Sequence, residues 1–212
     1  MNGLALPSPR GLYAITNGPR PDLLAQVAQA LAGGARLLQY RDESGDSPQR
    51  QHEATALQQL CRAHGVPLII DADVALALTV SADGVHLDGV ASIASARAAL
   101  GSQAIIGVSC RDSLQCAHEA VRAGANYVSF GAFFRSPTKP LAPRASIDLL
   151  RQSAALGVPR VAIGGITPDN GGLLIEAGAD YLAVISAVFG ASDVRHAAQR
   201  ISDLYSSPFG TS

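Results

Sequence analysis

The chain alternates short apolar runs, each bounded by glycine or proline, with longer stretches whose apolar positions recur at helical spacing. GLYAIT (Gly11–Thr16), VPLIID (Val66–Asp71), AIIGVSC (Ala104–Cys110) and VPRVAIGG (Val158–Gly165) show no apolar/polar alternation, the signature of strands covered on both faces. The stretches Asp22–Ala32, Pro48–His64, Ser113–Ala123 and Ser146–Leu156 are amphipathic and predict helices. A second pattern recurs between these elements: a helix end, a small-residue turn, then a β-rich run. It appears as AGGARLLQYR from Ala32, TVSADGVHLDG from Thr79, RAGANYVSFGAF from Arg122 and EAGADYLAVISAVF from Glu176, with turns centred on Gly34, Ala82, Gly124 and Gly178. Interleaving the two sets gives eight strands alternating with helices, which predicts an α/β fold with a parallel sheet closed into a single (β/α)8, or TIM, barrel. An open doubly wound sheet is the alternative, but it does not readily use eight equivalent units. No linker or shift of composition divides the 212 residues, so one domain is expected, with its core from about residue 11 to residue 205 and a Ser/Pro/Gly tail beyond Tyr205.

Composition narrows the partners. With 48% hydrophobic and 16% charged residues the chain can bury a large core and is too apolar for disorder. A net charge of −1, with lysines and arginines scattered, argues against nucleic acid and anionic membranes. No apolar run is long enough to cross a bilayer. The opening MNGLALPSPR lacks the basic-then-apolar layout of a secretory signal, so a cytoplasmic protein is expected. Cys61, Cys110 and Cys116 are odd in number and lack close metal or redox spacing; they read as small buried hydrophobes. The sequence leaves the oligomeric state open.

The active site of such a barrel lies at the C-terminal ends of its strands. Those ends carry Thr16, Gln39, Arg41, Asp71, Asp73, His86, Asp88, Ser109, then Ser136, Thr138, Lys139, then Gly164, Gly165, Asn170, Ile185 and Ser186. The segment YVSFGAFFRSPTKP (Tyr127–Pro140) is the most informative. A buried strand there delivers Arg135, Ser136, Thr138 and Lys139 into one loop, as an anionic ligand requires. VAIGGITPDN offers bare backbone N–H groups in the next loop of the same kind. Small phosphorylated substrates are the partners this implies. Gln39 and Arg41 share one strand face, and a buried arginine asks for an anionic partner rather than mere interior packing. His86 reads equally as a satisfied core histidine or a ligand group, whereas His52, His64, His118 and His196 fall on helices facing solvent. There is no Ser/His/Asp triad, nucleophile elbow or Walker loop.

LYAIT, GARLLQYR, ADGVHL, IGVSC, the FFRSPTK loop, AIGGITPDN and GADYLAVISA, in this order from Gly11 to about Phe189, resemble thiamine phosphate synthase and its sister thiazole tautomerases. The resemblance implies a transferase that joins 4-amino-2-methylpyrimidin-5-ylmethyl diphosphate to a thiazole phosphate, releasing pyrophosphate by a dissociative route. By position it implies that Gln39 and Arg41 meet the pyrimidine substrate and its diphosphate, with Asp71 beside them. Ser109 contacts the same diphosphate and Lys139 the leaving group, so that Arg41, Ser109 and Lys139 are the catalytic candidates. Ser136 and Thr138 lie at the thiazole phosphate, within a backbone cup from Gly165, Ile185 and Ser186.

The chain departs from the family pattern at three places. Glu43 stands where a lysine is expected, and Ala72 and Ala91 stand at the two Mg²⁺ carboxylate positions. Asp71, Asp73 and Asp88 are the remaining candidates to hold Mg²⁺ from shifted positions; against that, Asp73 is suited to cap the following helix and Asp88 to a solvated loop. Two other functions are therefore weighed. One is a non-catalytic thiazole phosphate-binding homologue. The other is a tautomerase, for which Arg111 and Asp112 stand where a histidine is expected and Asp112 would have to act as general base. Arg41, Ser109 and Lys139 all concern the diphosphate, which favours the synthase.

Overall fold

The computed structural model describes residue 6, residues 10–135 and residues 144–206. Eight parallel strands close in sequence order into a barrel: β1 (Gly11–Ile15), β2 (Ala35–Tyr40), β3 (Leu68–Asp71), β4 (Gly84–Leu87), β5 (Ile105–Arg111), β6 (Tyr127–Gly131), β7 (Arg160–Ile163) and β8 (Tyr181–Val184), with β8 pairing back onto β1. The expected barrel is thus the observed one, and the open sheet is excluded. The helices are α1 (Leu23–Ala32), α2 (Ser47–His64), α3 (Val74–Val80), α4 (Ile93–Leu100), α5 (Leu114–Arg122), α6 (Asp148–Gln152), α7 (Gly171–Glu176), α8 (Ser186–Phe189) and α9 (Val194–Asp203). Side-chain oxygens of Asp46, Asp73, Ser113 and Asp193 accept from backbone N–H groups in the first turns of α2, α3, α5 and α9, satisfying donors that a helix start leaves open. The expected helix Ser146–Leu156 is shorter, because Gln152 is followed by a 3₁₀ turn, Ser153–Leu156, which ends at left-handed Gly157.

The recurring turn pattern has a structural cause. The residue after its small-residue turn clasps the start of the preceding strand at two points. Asp83 takes the Leu68 N–H on its carboxylate at 2.9 Å and gives its own N–H to the Leu68 carbonyl at 3.0 Å. Asn126 does the same to Ile106 through its side-chain amide oxygen (2.9 and 2.7 Å), and Asp180 to Arg160 through its carboxylate (2.9 and 2.8 Å). The carbonyls of Asp83 and Asp180 then accept from Ile105 and Gly11, the entries to the following strands, so one residue ties three neighbours together. These clasps lie at the N-terminal face, where barrel residues serve stability rather than chemistry. The β2 repeat is the exception. Arg36 occupies the clasp position, and its stem lies where a side chain on residue 11 would go, so β1 must open on glycine.

Two cores result. One lies between sheet and helices and includes Val27, Leu57, Ala77, Ala120, Leu150, Leu174 and Ala198. The other fills the barrel with Tyr13, Ile15, Leu37, Ile69, Ile105, Tyr127, Val161 and Tyr181. A tyrosine ring fits inside β6 because its β5 neighbour is Gly107: a Cβ there would sit 1.9 Å from Tyr127 Cζ. All three cysteines are free, with Cys61 and Cys110 buried, and burial pushes the Cys61 thiol up to about 12. That fits their reading as packing groups. Among the described residues no helix is long and apolar enough to cross a membrane.

Candidate active site

A cavity of about 540 Å³ opens at the C-terminal mouth of the barrel. Among the sequence-predicted residues its lining includes Gln39, Arg41, Asp71, His86, Asp88, Ser109, Gly164 and Ile185, together with the interior groups Tyr13, Ser129 and Val161. A shallower groove between the N-terminal ends of α1 and α2 lies outside this mouth.

Gln39 and Arg41 reach the cavity because they are two residues apart at the end of β2, where alternate side chains point inward. Gln39 Nε2 donates to Asp71 Oδ1 at 2.7 Å, and the Tyr13 hydroxyl donates to Gln39 Oε1 at 2.9 Å. Arg41 Nε stands 3.7 Å from Asp71 Oδ2, and Arg41 Nη2 pairs with Glu43. Thr16 proves to be a brace. Buried at the end of β1, its hydroxyl accepts from Arg41 N–H at 2.8 Å and donates to the Arg41 carbonyl at 3.0 Å.

On the opposite wall Ser109 of β5 is in register with Ser129 of β6. Beyond β6 the chain runs against the β7 loop. Phe133 and Phe134 N–H donate to the carbonyls of Ile163 and Gly164, at 3.1 and 3.0 Å. Gly165 is left-handed (φ 63°), and a Cβ on it would lie 2.3 Å from the Arg135 carbonyl, so only glycine lets the two loops meet. Asn170 shapes that loop, donating to the Gly165 carbonyl at 3.0 Å and accepting from Thr167 N–H at 2.9 Å. Gly165 and Ser186 stand at the ends of β7 and β8 beside the cavity rather than in its lining. Ser136, Thr138 and Lys139 lie outside the described residues.

Among the described residues, the side chains at the expected Mg²⁺ positions do not fit that ion. Ala72 and Ala91 offer methyl groups, and Asp71 is engaged by Gln39 and Arg41. Asp73 caps α3 through Leu76 N–H at 2.9 Å and pairs with Arg50 at 3.0 Å. Asp88 is exposed. Among the described residues no group of three or more Asp, Glu, His or Cys side chains is placed to hold a metal ion.

His86, read from the sequence as either a core histidine or a ligand group, is on the cavity floor, whereas its partners Tyr13, Tyr127 and Ser129 were missed. Tyr127 donates to or accepts from Tyr13 at 2.8 Å and contacts His86 Nδ1 at 3.0 Å, while His86 Nε2 faces Ser129 Oγ at 3.4 Å. Burial pushes His86 down to about 4, against a smaller opposing pull from Asp88, so the imidazole is neutral at pH 7. Two signals pointed to this floor: Gly107 in mid-strand, which marks close approach by a large neighbour, and the inward alternation Tyr127–Ser129.

The thiamine monophosphate synthase family model matches residues 12–188. A thiamine-phosphate synthase of Chromobacterium violaceum is 52% identical over 200 residues, 92% of this chain and 96% of that one. One of Azoarcus is 54% identical over 202 residues, 92% of this chain and 97% of that one. The solved structure of thiamine phosphate pyrophosphorylase from Pyrococcus furiosus superposes with a TM-score of 0.85 at 34% identity, covering 96% of this chain and 98% of that one. With barrel, polar mouth and these matches in agreement, the chain belongs to the thiamine monophosphate synthase family.

Proposed function

We infer that the chain is a thiamine-phosphate synthase, a transferase that joins 4-amino-2-methylpyrimidin-5-ylmethyl diphosphate to a thiazole phosphate. The observation that carries this reading is the juxtaposition of Gln39, Arg41, Asp71 and Ser109 in one cavity, on a chain half-identical to proteins of that name. The bond from the pyrimidinyl-methyl carbon to the diphosphate oxygen breaks, and its electron pair leaves with pyrophosphate. The thiazole nitrogen then gives its lone pair to the carbon. No proton need move to or from the protein in these two steps.

The protein's task is then to orient the pyrimidine and to stabilise charge on the leaving diphosphate. The described lining holds Arg41 and Arg111 as cations against Glu43, Asp71, Asp88 and Asp112. Such a lining alone does not favour a diphosphate, so the proposal assigns the leaving group to Arg41, Ser109 and Lys139 acting together. Ser136, Thr138, Gly165, Ile185 and Ser186 are assigned to the thiazole phosphate, supported by the close packing of the β6 and β7 loops. Glu43 holds part of Arg41's charge and is a brake on diphosphate departure. The retained diphosphate residues favour the synthase over a pure thiazole phosphate binder or a tautomerase. The cytoplasm is the compartment proposed. Growth of a bacterial strain lacking its own synthase, on medium without thiamine, tests the assignment: rescue by this chain supports it, and failure of soluble, expressed protein to rescue contradicts it.

A further inference from the structure

We infer that His86 is held as its Nδ1–H tautomer by a one-way chain of hydrogen bonds beginning at Asp71. Its bare Nε2 is then a specificity determinant that accepts a hydrogen bond from the amino group of the pyrimidine substrate. The identity of that amine rests on the synthase reading; the tautomer does not.

The direction of the chain follows from what each group can give. A carboxylate only accepts, so Gln39 must turn its amide nitrogen toward Asp71 (2.7 Å) and its carbonyl toward Tyr13. Tyr13 spends its single proton on that carbonyl (2.9 Å). The 2.8 Å contact between the two tyrosines must then be donated by Tyr127. With its proton spent, Tyr127 can only accept across the 3.0 Å contact with His86, which places the ring proton on Nδ1. A neutral ring with Nδ1 protonated has its lone pair on Nε2.

Packing keeps this arrangement in place. The imidazole stacks on Tyr127 with centroids 5.6 Å apart and planes 18° from parallel, and Tyr127 meets Tyr13 edge-on at 6.0 Å. A ring flip would put Cδ2 in place of Nδ1 opposite the Tyr127 hydroxyl and break the chain. The Ser129 hydroxyl is 3.4 Å from Nε2, too long for a strong bond, so a better donor entering the cavity would take that acceptor. His86 and Ser129 both line the cavity. A floor of this polarity favours a ring bearing an N–H donor and opposes one bearing a carbonyl at the same place, where two acceptors would face each other.

The test is ¹⁵N NMR of histidine-labelled, ligand-free protein at pH 7, with the His86 signals assigned by their loss in His86→Gln. A protonated Nδ1 and an unprotonated Nε2 are expected. Tyr13→Phe frees the Tyr127 proton for Nδ1 and should bring the Nε2–H tautomer to a visible fraction; Tyr127→Phe, which removes the link itself, should do the same. An Nε2–H ring in the unaltered protein would overturn the proposal, as would a tautomer indifferent to both substitutions. For the ligand, 4-amino-2-methylpyrimidin-5-ylmethyl diphosphate should bind at least about tenfold more tightly than its 4-oxo counterpart, the scale of one hydrogen bond exchanged for a clash of acceptors. Tyr127→Phe should narrow that ratio, raising KM more than it lowers kcat. Equal binding of the two compounds overturns the specificity role. Failure of the protein to make thiamine phosphate, with the tautomer as expected, would instead count against the synthase reading alone.

Discussion

Acid should loosen this barrel through His86 in a way that can be isolated. In the folded chain the imidazole is pushed down to about 4, against 6.5 when unfolded. Between those values the unfolded chain binds a proton that the folded chain refuses, so stability falls as pH falls; above 6.5 the contribution is intact, and below 4 it has been lost. For a single group with these two values, going from pH 7 to pH 4.5 costs about 2 kcal/mol. Other titratable groups also respond to acid, so the total slope does not single out His86. The difference between the original protein and His86→Gln does, because every other group is shared. Urea unfolding at steps between pH 7.5 and pH 4.5 should show the two chains converging in stability by about 2 kcal/mol as the pH drops. A constant difference across that range would refute the argument. If the variant fails to fold, direct NMR titration of His86 decides instead: a midpoint near 6.5 refutes it.

Asn126→Ala opens one clasp at the N-terminal face and should cost about 1–3 kcal/mol in urea unfolding, while leaving kcat/KM within twofold (a factor of about two). Lys139→Ala, if that lysine meets the departing diphosphate, should lower kcat far more than it weakens thiazole phosphate binding by calorimetry; equal losses would place it in the phosphate cup instead. Ala72→Asp with Ala91→Asp should tighten Mg²⁺ binding, since affinity follows the number of charged oxygens. The left-handed backbone at Ala72 (φ 55°) suits aspartate better than alanine, so that change should not cost stability. Adding Glu43→Lys should raise kcat by more than the separate effects combined, because all three act on one diphosphate. An original chain already as fast as the triple variant would show that the missing groups have been replaced.

Strand order, barrel closure and the polar mouth were legible because β-runs buried on both faces, small-residue turns and strand-end polar groups are local patterns. The clasps of Asp83, Asn126 and Asp180 show why: the repeat visible in the chain is the repeat that ties strand to strand. Thr16 was counted among mouth residues, but its hydroxyl is spent on the backbone of Arg41, a contact across 25 residues that no local pattern encodes. His86 was visible as a strand-end residue, but the tyrosines that hold it were hidden for the same reason. Tyr13 and Tyr127 look like ordinary strand aromatics until closure brings their hydroxyls to 2.8 Å across a separation of 114 residues. Asp73, a candidate ligand by its place after β3, has its carboxylate oxygens engaged by the N-terminus of α3 and by Arg50.

The mouth of this barrel is assigned to join two phosphorylated substrates while expelling pyrophosphate. Purified protein should be incubated with the aminopyrimidine diphosphate and the thiazole phosphate, with and without Mg²⁺, and thiamine phosphate and pyrophosphate quantified together. Both should appear in equal amounts, only when both substrates are present, and Arg41→Ala should suppress them together. Pyrophosphate released without thiamine phosphate, or neither product from folded protein under any condition, would contradict the assignment.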